Sequence, residues 1–223
     1  FLQEQHPQMA KLDLEKAVEV NSSSWRNWFR LISFLNQQGL SQEALTVADR
    51  AAQQFPEEIP IRIERVRTLM SQKRFAEAAD VLENSMVLPS EGATGVHNLF
   101  VQCHIQLGLE AIRQNDYKSA IQYLEKSQDY PENLGTGKPY TPDFRLQEYL
   151  MVLCFERLGE RQKSESLRKS IHTYTSNRQE EGTHAYFGGL VLQYYGKHVK
   201  ARKLLSQEKP SQEVLDVLQM LRK

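Results

Sequence analysis

The sequence has few of the residues that build disulfide bridges or metal sites. Its 223 residues contain two cysteines, Cys103 and Cys154, and each lies within an apolar stretch typical of a helix. Buried thiols in a helical core are the favoured interpretation of both. No C-x-x-C or H-x-x-x-H spacing occurs in the chain, so the common zinc signatures are absent. The sequence predicts no metal and no cofactor.

An excess of charge of either sign is also missing. Lys and Arg total 28 and Asp and Glu total 28, so the formal net charge is zero. Proteins that bind nucleic acid usually carry a clustered basic excess, so no nucleic-acid partner is predicted. No apolar run approaches the roughly 20 residues that a membrane-spanning helix needs, so no membrane partner is predicted either.

Alanine at helical spacing is what the chain does contain. In the stretch QEALTVADRAAQQFP, Ala44, Ala48 and Ala51 share one face of a helix, and Pro56 follows it. A face of small side chains predicts a second helix that crosses closely, because a larger side chain would hold the two backbones apart. Leucine in place of Ala44 or Ala120 is expected to overpack such a crossing.

The same spacing recurs in five frames of about 34 residues. Position 20 of each frame, counted from its first residue, is small, and glycine occupies position 15 in three frames. These glycines are Gly39, Gly159 and Gly196, and we expect them in a turn that favours a left-handed residue. The frames begin at Trp25, Ile59, Val101, Arg145 and Gly182.

The pattern resembles the tetratricopeptide repeat, a helix–turn–helix unit, most clearly in LGLEAIRQNDYKSAIQYLEKS at 107–127. The resemblance implies an all-α fold, a right-handed α-solenoid of antiparallel helix pairs. Val214, Leu218 and Leu221 form one apolar face of a C-terminal capping helix that we expect to cover the last repeat. The expected boundaries are a partial repeat at 1–24, repeats at 25–58, 59–100, 101–144, 145–181 (degenerate) and 182–209, and the capping helix at 210–223.

Two features of the ends and insertions are also predicted. The frame continued backward places Pro7 at a helix start and Phe1 inside an earlier helix, so we expect the chain to be part of a longer protein. Insertions at 88–96 and 130–144 are expected to project from one edge of the stack. The second insertion contains GTGK, read as a structured turn because its spacing differs from a phosphate loop. It ends in Thr141, Pro142 and Asp143, which are expected to begin a helix.

A candidate partner-binding surface follows from the resemblance, which implies that positions 5, 9 and 13 of the first helices line a concave groove. Tyrosine and arginine recur there, and both are enriched at binding hot spots. The alternative is that the apolar position-5 residues pack against the neighbouring repeat. The predicted groove residues are Phe29, Ile63, Arg67, Ile105, Arg113, Tyr149, Arg157, Tyr186 and Tyr194.

The favoured function is a non-catalytic protein–protein interaction scaffold. It would bind a peptide, or a neighbouring domain of its own polypeptide, in the groove. The alternative is a structural module of a carbohydrate-active protein, or a dimerisation module that forms a homodimer. Residues of about 100–170 are similar to the repeat region of bacterial multidomain proteins that carry β-sandwich, carbohydrate-associated domains upstream. An enzyme is least favoured, because nothing in the sequence pairs the loop carboxylates Glu91, Glu132 and Asp143.

Overall fold

Helices account for the regular structure in the computed structural model, which describes residues 7–89, 93–177, 184–207 and 209–221. Across these ranges there are twelve α-helices, one short 3-10 helix at Glu132–Leu134, and no strand, so the predicted all-α class is confirmed. None of these helices has both the length and the apolar character needed to cross a bilayer. The α-helices are α1 (Pro7–Val20), α2 (Trp25–Gln37), α3 (Ser41–Gln54), α4 (Ile59–Ser71), α5 (Phe75–Glu83), α6 (Ala93–Arg113), α7 (Tyr117–Lys126), α8 (Arg145–Arg157), α9 (Arg161–Asn177), α10 (Ala185–Tyr194), α11 (His198–Leu205) and α12 (Gln212–Leu221).

The chain divides into two compact units. Unit 1 comprises residues 1–103 and 130–136, and unit 2 comprises residues 104–129 and 137–223. In unit 1 each helix from α1 to α5 packs on the next, and α2 also packs on α4. In unit 2 the helices from α7 to α11 do the same, and α8 also packs on α10. Contacts to the next helix and to the next but one are those of stacked helical hairpins, so each unit has α-solenoid packing.

The turns inside the helix pairs share one backbone geometry. Position 15 of all five frames has a positive φ, between 59° and 76°, which confirms the predicted glycine turns. The next residue donates its N–H to the carbonyl five positions back in each case, as from Leu40 to Leu35 at 2.9 Å. This pairing ends an α-helix by satisfying a carbonyl of its last turn. The left-handed residues are Gly39, Lys73, Asn115, Gly159 and Gly196.

Small side chains lie where the two helices of a pair cross. Ala44, Ala48 and Ala51 are fully buried, as the sequence predicts. The facing helix also contributes small residues: a Cβ atom added to Gly108 would lie 3.0 Å from Cγ of Leu124. Close approach of the backbones therefore depends on small residues on both helices. The position-20 residues Ala44, Ala78, Ala120, Ser164 and Ala201 are all at most 1% exposed.

Helix starts differ from the sequence-based expectations at two places. Helix α6 begins at Ala93, so the end of the first insertion is helical rather than a loop. Helix α8 begins at Arg145 and not at Thr141. The carboxylate of Asp143 accepts the backbone N–H of Arg145 at 3.2 Å and also binds its guanidinium, which holds the preceding residues outside the helix. Helix α1 begins at Pro7 as expected, whereas Phe1 lies outside the described residues.

The second insertion folds onto the end of α5 instead of projecting freely. The side-chain amide of Asn133 lies 3.1, 3.2 and 2.8 Å from the carbonyl oxygens of Leu82, Glu83 and Ser85. The backbone N–H of Val87 donates to the carbonyl of Asn133 at 2.7 Å. We call this arrangement the Asn133 clasp. Gly135, the first residue of GTGK, has a φ of +66°, and a Cβ there would lie 2.5 Å from the Val87 oxygen. The predicted structured turn is therefore present and tightly packed.

Candidate functional site

The first helices of the pairs carry the predicted groove residues on one side, which we call the A-helix face. The first helices are α2 and α4 in unit 1, α8 and α10 in unit 2, and α6, within which the unit boundary falls. Two stretches of this face, one in each unit, differ in chemistry and are described separately.

The A-helix face of unit 1 is built around a partly buried carboxylate. Glu64 of α4 is 9% exposed and accepts a hydrogen bond from the side-chain amide of Asn36 at 3.2 Å. The hydroxyl of Thr68 donates to the oxygen of the same Asn36 amide at 3.0 Å. Nε of Arg67 lies 3.5 Å from Glu64, and the Arg67 side chain is 52% exposed. The network fixes Asn36 and Glu64 and leaves most of Arg67 in solvent.

The two apolar groove residues of unit 1 are placed differently. Ile63 is 8% exposed and therefore offers almost no area to a partner. Phe29 is half-buried and meets Trp25 edge to face, with the ring centroids 6.3 Å apart. The guanidinium of Arg26 lies 4.5 Å from the centre of the Trp25 ring. Phe29 and Arg67 are thus the members of the predicted set that unit 1 presents to solvent.

The A-helix face of unit 2 is occupied by the C-terminal helix of the same chain. Nε2 of Gln106, on α6, donates to a carboxylate oxygen of Glu213 at the start of α12, at 3.0 Å. Nη2 of Arg157, at the end of α8, donates to the carbonyl of Leu221 at 2.5 Å, with that of Met220 at 3.5 Å. Helix α12 therefore begins beside α6 and ends beside α8. Its last carbonyls, which have no partner within the helix, are satisfied by a cation.

Apolar packing joins α12 to the same face. The buried residues of α12 belong to one core cluster with the position-9 residues Leu109, Leu153 and Leu190 of α6, α8 and α10. Ile105 and Tyr186 are packed against this cluster. The separate cluster inside the last helix pair contains no residue of α12. The predicted helix is present with its predicted apolar face, and the hydrogen bonds from Gln106 and Arg157 place it beside the first helices α6 and α8. Its buried residues are Val214, Val217, Leu218 and Leu221.

Helix α8 shows the consequence of this coverage. Ten of its 13 residues are buried, which leaves it with no solvent-facing apolar stripe. Helices α7, α9 and α10 pack on it, and α12 covers the remaining side. The sequence YLMVLCF is apolar on every side of a helix, a pattern typical of a fully surrounded helix. That pattern was the available signal that another element covers the groove.

Three of the remaining predicted groove residues make contacts within the chain. Tyr149 is 9% exposed and its ring lies 5.8 Å from that of Phe187, so it belongs to the core. Tyr186 is half-buried against the same ring, and Arg157 binds α12. Arg113, at the end of α6, is exposed. The apolar position-5 residues of unit 2 therefore pack within the chain, which was the alternative interpretation of their pattern.

Tyr194 belongs to a polar cluster that the sequence does not reveal. Its side chain is 59% exposed, and the guanidinium of Arg168 lies 4.3 Å from its ring centre. Arg168 also pairs with Glu156 and donates to the Ser164 hydroxyl at 2.8 Å. Stacking on an arginine that is itself held by an ion pair fixes the Tyr194 ring at the surface. No motif predicts it, because its members come from α8, α9 and α10.

The structure places the residues that the sequence offered as candidates for catalysis as follows. Burial raises the pKa of both the Cys103 and Cys154 thiols to about 12, so neither is a thiolate nucleophile at neutral pH. Burial would raise the pKa of Asp143, but hydrogen bonds and charge from Arg145 outweigh it and lower the pKa. Glu132 is exposed, and Glu91 lies outside the described residues. Within the described ranges, no three His, Cys, Asp or Glu side chains form a group able to hold a metal ion.

Solved structures with a similar helical fold include a tetratricopeptide repeat protein from Parabacteroides merdae, with a TM-score of 0.53 and 16% identity over 100% of this chain and 81% of its own. The pilF protein of Pseudomonas aeruginosa has a TM-score of 0.51 and 16% identity over 99% of this chain and 92% of its own. YrrB, a tetratricopeptide protein with an unusual peptide-binding site, has a TM-score of 0.44 and 16% identity over 93% of this chain and 94% of its own. No family model and no curated protein matches the chain.

The chain therefore has the fold of tetratricopeptide-repeat proteins. Five helix pairs, a shared left-handed turn and close-packed small residues define this class within the described residues. Identities of 16% bear on the fold and not on the ligand. The resemblance of residues at about 100–170 to carbohydrate-associated multidomain proteins stays a prediction.

Proposed function

We propose that this protein is a non-catalytic scaffold that binds polypeptide through its A-helix faces. The observation that carries the proposal is α12, a helical segment held on such a face in unit 2. The face is thus suited to polypeptide, and its partner would be a peptide or a neighbouring domain. Solenoid proteins use extended faces of this kind for binding.

The way in which α12 is held supports a mode of recognition for this face. Apolar side chains enter a groove lined by leucine and tyrosine, while Arg157 binds backbone carbonyls. Burial of apolar area supplies most of the affinity in such a contact, and the polar groups fix direction. Backbone carbonyls are present in every peptide, so this part of the recognition does not depend on the partner's sequence.

Unit 1 has an A-helix face of its own. Arg67 is mostly exposed and Phe29 partly so, and arginine and aromatic residues are the types that anchor protein interfaces. Arg67 is held near Glu64, so less side-chain freedom is lost when a partner binds. We propose these two residues as partner contacts of the unit 1 face, and Arg113 and Tyr194 as partner contacts of the unit 2 face.

Selection of peptides from a random displayed library tests the scaffold function. We expect peptides selected on unit 1 to lose at least about tenfold in affinity with Arg67→Glu, and peptides selected on unit 2 to lose as much with Arg113→Glu, because each position lies on the A-helix face of its own unit. Lys118→Glu, at an exposed position of the second helix α7, is the matched control and should leave affinity unchanged. Tyr149 is unsuited to this test because it is buried. Failure to select any peptide, or equal loss with the control, contradicts the proposal.

A further inference from the structure

Helix α12 contacts the A-helix face of unit 2 in the way that a bound helical peptide would. Its buried residues Val214, Val217, Leu218 and Leu221 have the spacing of one face of an amphipathic helix. Its opposite face is polar, with Asp216 and Gln219 exposed. Two side chains from other helices, Gln106 and Arg157, bind its two ends. Together these contacts define both the length and the polarity of a helix that fits the face.

Several features allow α12 to leave this face without unfolding the helix pairs. It follows α11 through residues 206–211, and no helix described between α1 and α11 is connected to the rest of the chain through it. A helix of ten residues is not stable alone in water. The gain from burying four apolar side chains is therefore opposed by the cost of ordering the whole segment.

Departure of α12 would remove four buried apolar side chains from the core cluster that also contains Leu109, Leu153 and Leu190, and water disfavours the apolar area that this would expose. Loss of α12 is therefore coupled to the arrival of another apolar surface. We propose that the A-helix face of unit 2 binds an amphipathic helix of a partner protein in exchange for α12. The fitting helix has apolar residues at relative positions 0, 3, 4 and 7, and an acidic residue just before them, where Glu213 meets Gln106. This inference rests on the scaffold function proposed above and makes α12 its internal competitor.

A labelled synthetic peptide of residues 209–223 is the probe that tests exchange. It is added to the unmodified 223-residue chain and to the variant Leu218→Asp, in which a carboxylate on the apolar face of α12 releases that helix. We expect the variant to bind the peptide at least about tenfold more tightly than the wild type, because the internal competitor is gone. Adding Ile105→Glu on the A-helix face should abolish the gain, whereas adding Lys118→Glu should not. Equal affinity of the folded variant and the wild type overturns the proposal.

Hydrogen exchange of the unmodified chain gives a second test that needs no variant to fold. We expect the amides of α12 to exchange faster than those of α8, and to exchange faster still when unlabelled peptide is in excess. Exchange of α12 as slow as that of α8 overturns the proposal, because α12 would then open only on global unfolding. Sedimentation showing a dimer that Leu218→Asp dissolves also overturns it, since the occupant would be a second copy of the chain. None of these outcomes changes the result expected from the peptide-library selection, which depends on Arg67 and Arg113. A failure of the α12 exchange proposal can therefore be distinguished from a failure of the scaffold function.

Discussion

Gln106 and Glu213 are 107 positions apart in the chain, and their side chains form a 3.0 Å hydrogen bond. The bond joins α6 to α12 within unit 2. It marks the point at which a terminal helix returns to an earlier helix instead of extending the stack. The consequence is that the stability of unit 2 depends on residues near the C-terminal end.

Truncation of an apolar side chain in α12 tests that dependence. Leu218→Ala should lower the free energy of unfolding by about 2–4 kcal/mol, because Leu218 is 3% exposed in the core cluster. Chemical denaturation measures the loss, and limited proteolysis should show earlier cleavage within residues 206–211. Gln219→Ala, at an exposed position of the same helix, should change stability by less than about 0.5 kcal/mol. Equal effects of the two variants would argue that α12 is not packed on the A-helix face.

Glycine should improve the two turns in which another residue adopts a left-handed conformation. Lys73 and Asn115 have φ values of 59° and 60°. A left-handed residue other than glycine costs about 1–2 kcal/mol, and the larger backbone entropy that glycine loses on folding offsets about 0.5–1 kcal/mol of this, so Lys73→Gly should stabilise the protein by on the order of 0.5–1 kcal/mol. Asn115→Gly should gain less, because asparagine tolerates this conformation and its Oδ1 accepts a hydrogen bond from the Tyr117 hydroxyl at 2.9 Å. Thermal unfolding checks the gain. Gly39→Ala is the converse variant and should destabilise; stabilisation by that change would contradict the shared turn geometry.

Enlargement of a small residue at a helix crossing should destabilise the pair. Ala120 is fully buried on α7, opposite Gly108 of α6, whose added Cβ would lie 3.5 Å from the Ala120 oxygen. Ala120→Leu should cost about 1–3 kcal/mol through overpacking. Gln122→Leu adds an apolar side chain at an exposed position of the same helix and should have little effect on urea unfolding. An unchanged midpoint for Ala120→Leu would show that the crossing has room.

Reversal of the hydrogen-bonding character of Asn133 should open the Asn133 clasp. Its side-chain amide donates toward three carbonyl oxygens, and an aspartate has only acceptors. Asn133→Asp should therefore destabilise by about 1–3 kcal/mol and by more than Asn133→Ala, because carboxylate and carbonyl oxygens would face each other. Hydrogen exchange at the Val87 amide, which donates to Asn133, should accelerate. Equal stability of the aspartate variant and the wild type would contradict the clasp.

Acid–base titration of stability should show two opposite contributions near the start of α8. Arg145 lowers the pKa of Asp143 in the folded state, so the ionised carboxylate stabilises the fold. This stabilisation is fully present above the unfolded-state pKa of about 3.9, and it is lost as pH falls through the lower pKa of the folded state. Burial raises the pKa of Glu148, more than the hydrogen bond from Ser170 lowers it. Stability therefore falls as pH rises from about 4.3 through the raised folded pKa of Glu148.

Two variants separate these contributions when urea unfolding is measured across a pH series. The free energy of unfolding of Glu148→Gln should increase relative to that of the wild type as pH rises, because the variant lacks a charge that burial disfavours. Asp143→Asn should lower the free energy of unfolding by about 3 kcal/mol near neutral pH, because the Arg145 side chain, which is 2% exposed, would be left without a carboxylate partner. A Glu148→Gln profile parallel to that of the wild type would contradict the role of burial.

Local patterns were sufficient to predict the helix pairs, the left-handed glycines and the buried alanines. Each depends on residues within a single pair, where spacing along the chain fixes spacing in space. The start of α8 was placed too early because Asp143 binds Arg145 instead of entering the helix. The Arg168 and Tyr194 contact was missed because its partners lie on different helices.

Helical pairs can be predicted from the residues alone, because small residues and turn residues at fixed intervals act through neighbours a few positions away. The apolar face of α12 can be predicted in the same way. Its place of burial cannot, because an amphipathic helix fits any apolar groove of suitable length. The return of α12 to α6 and α8 depends on contacts between residues far apart in the chain, such as Arg157 and Leu221, for which periodicity carries no information.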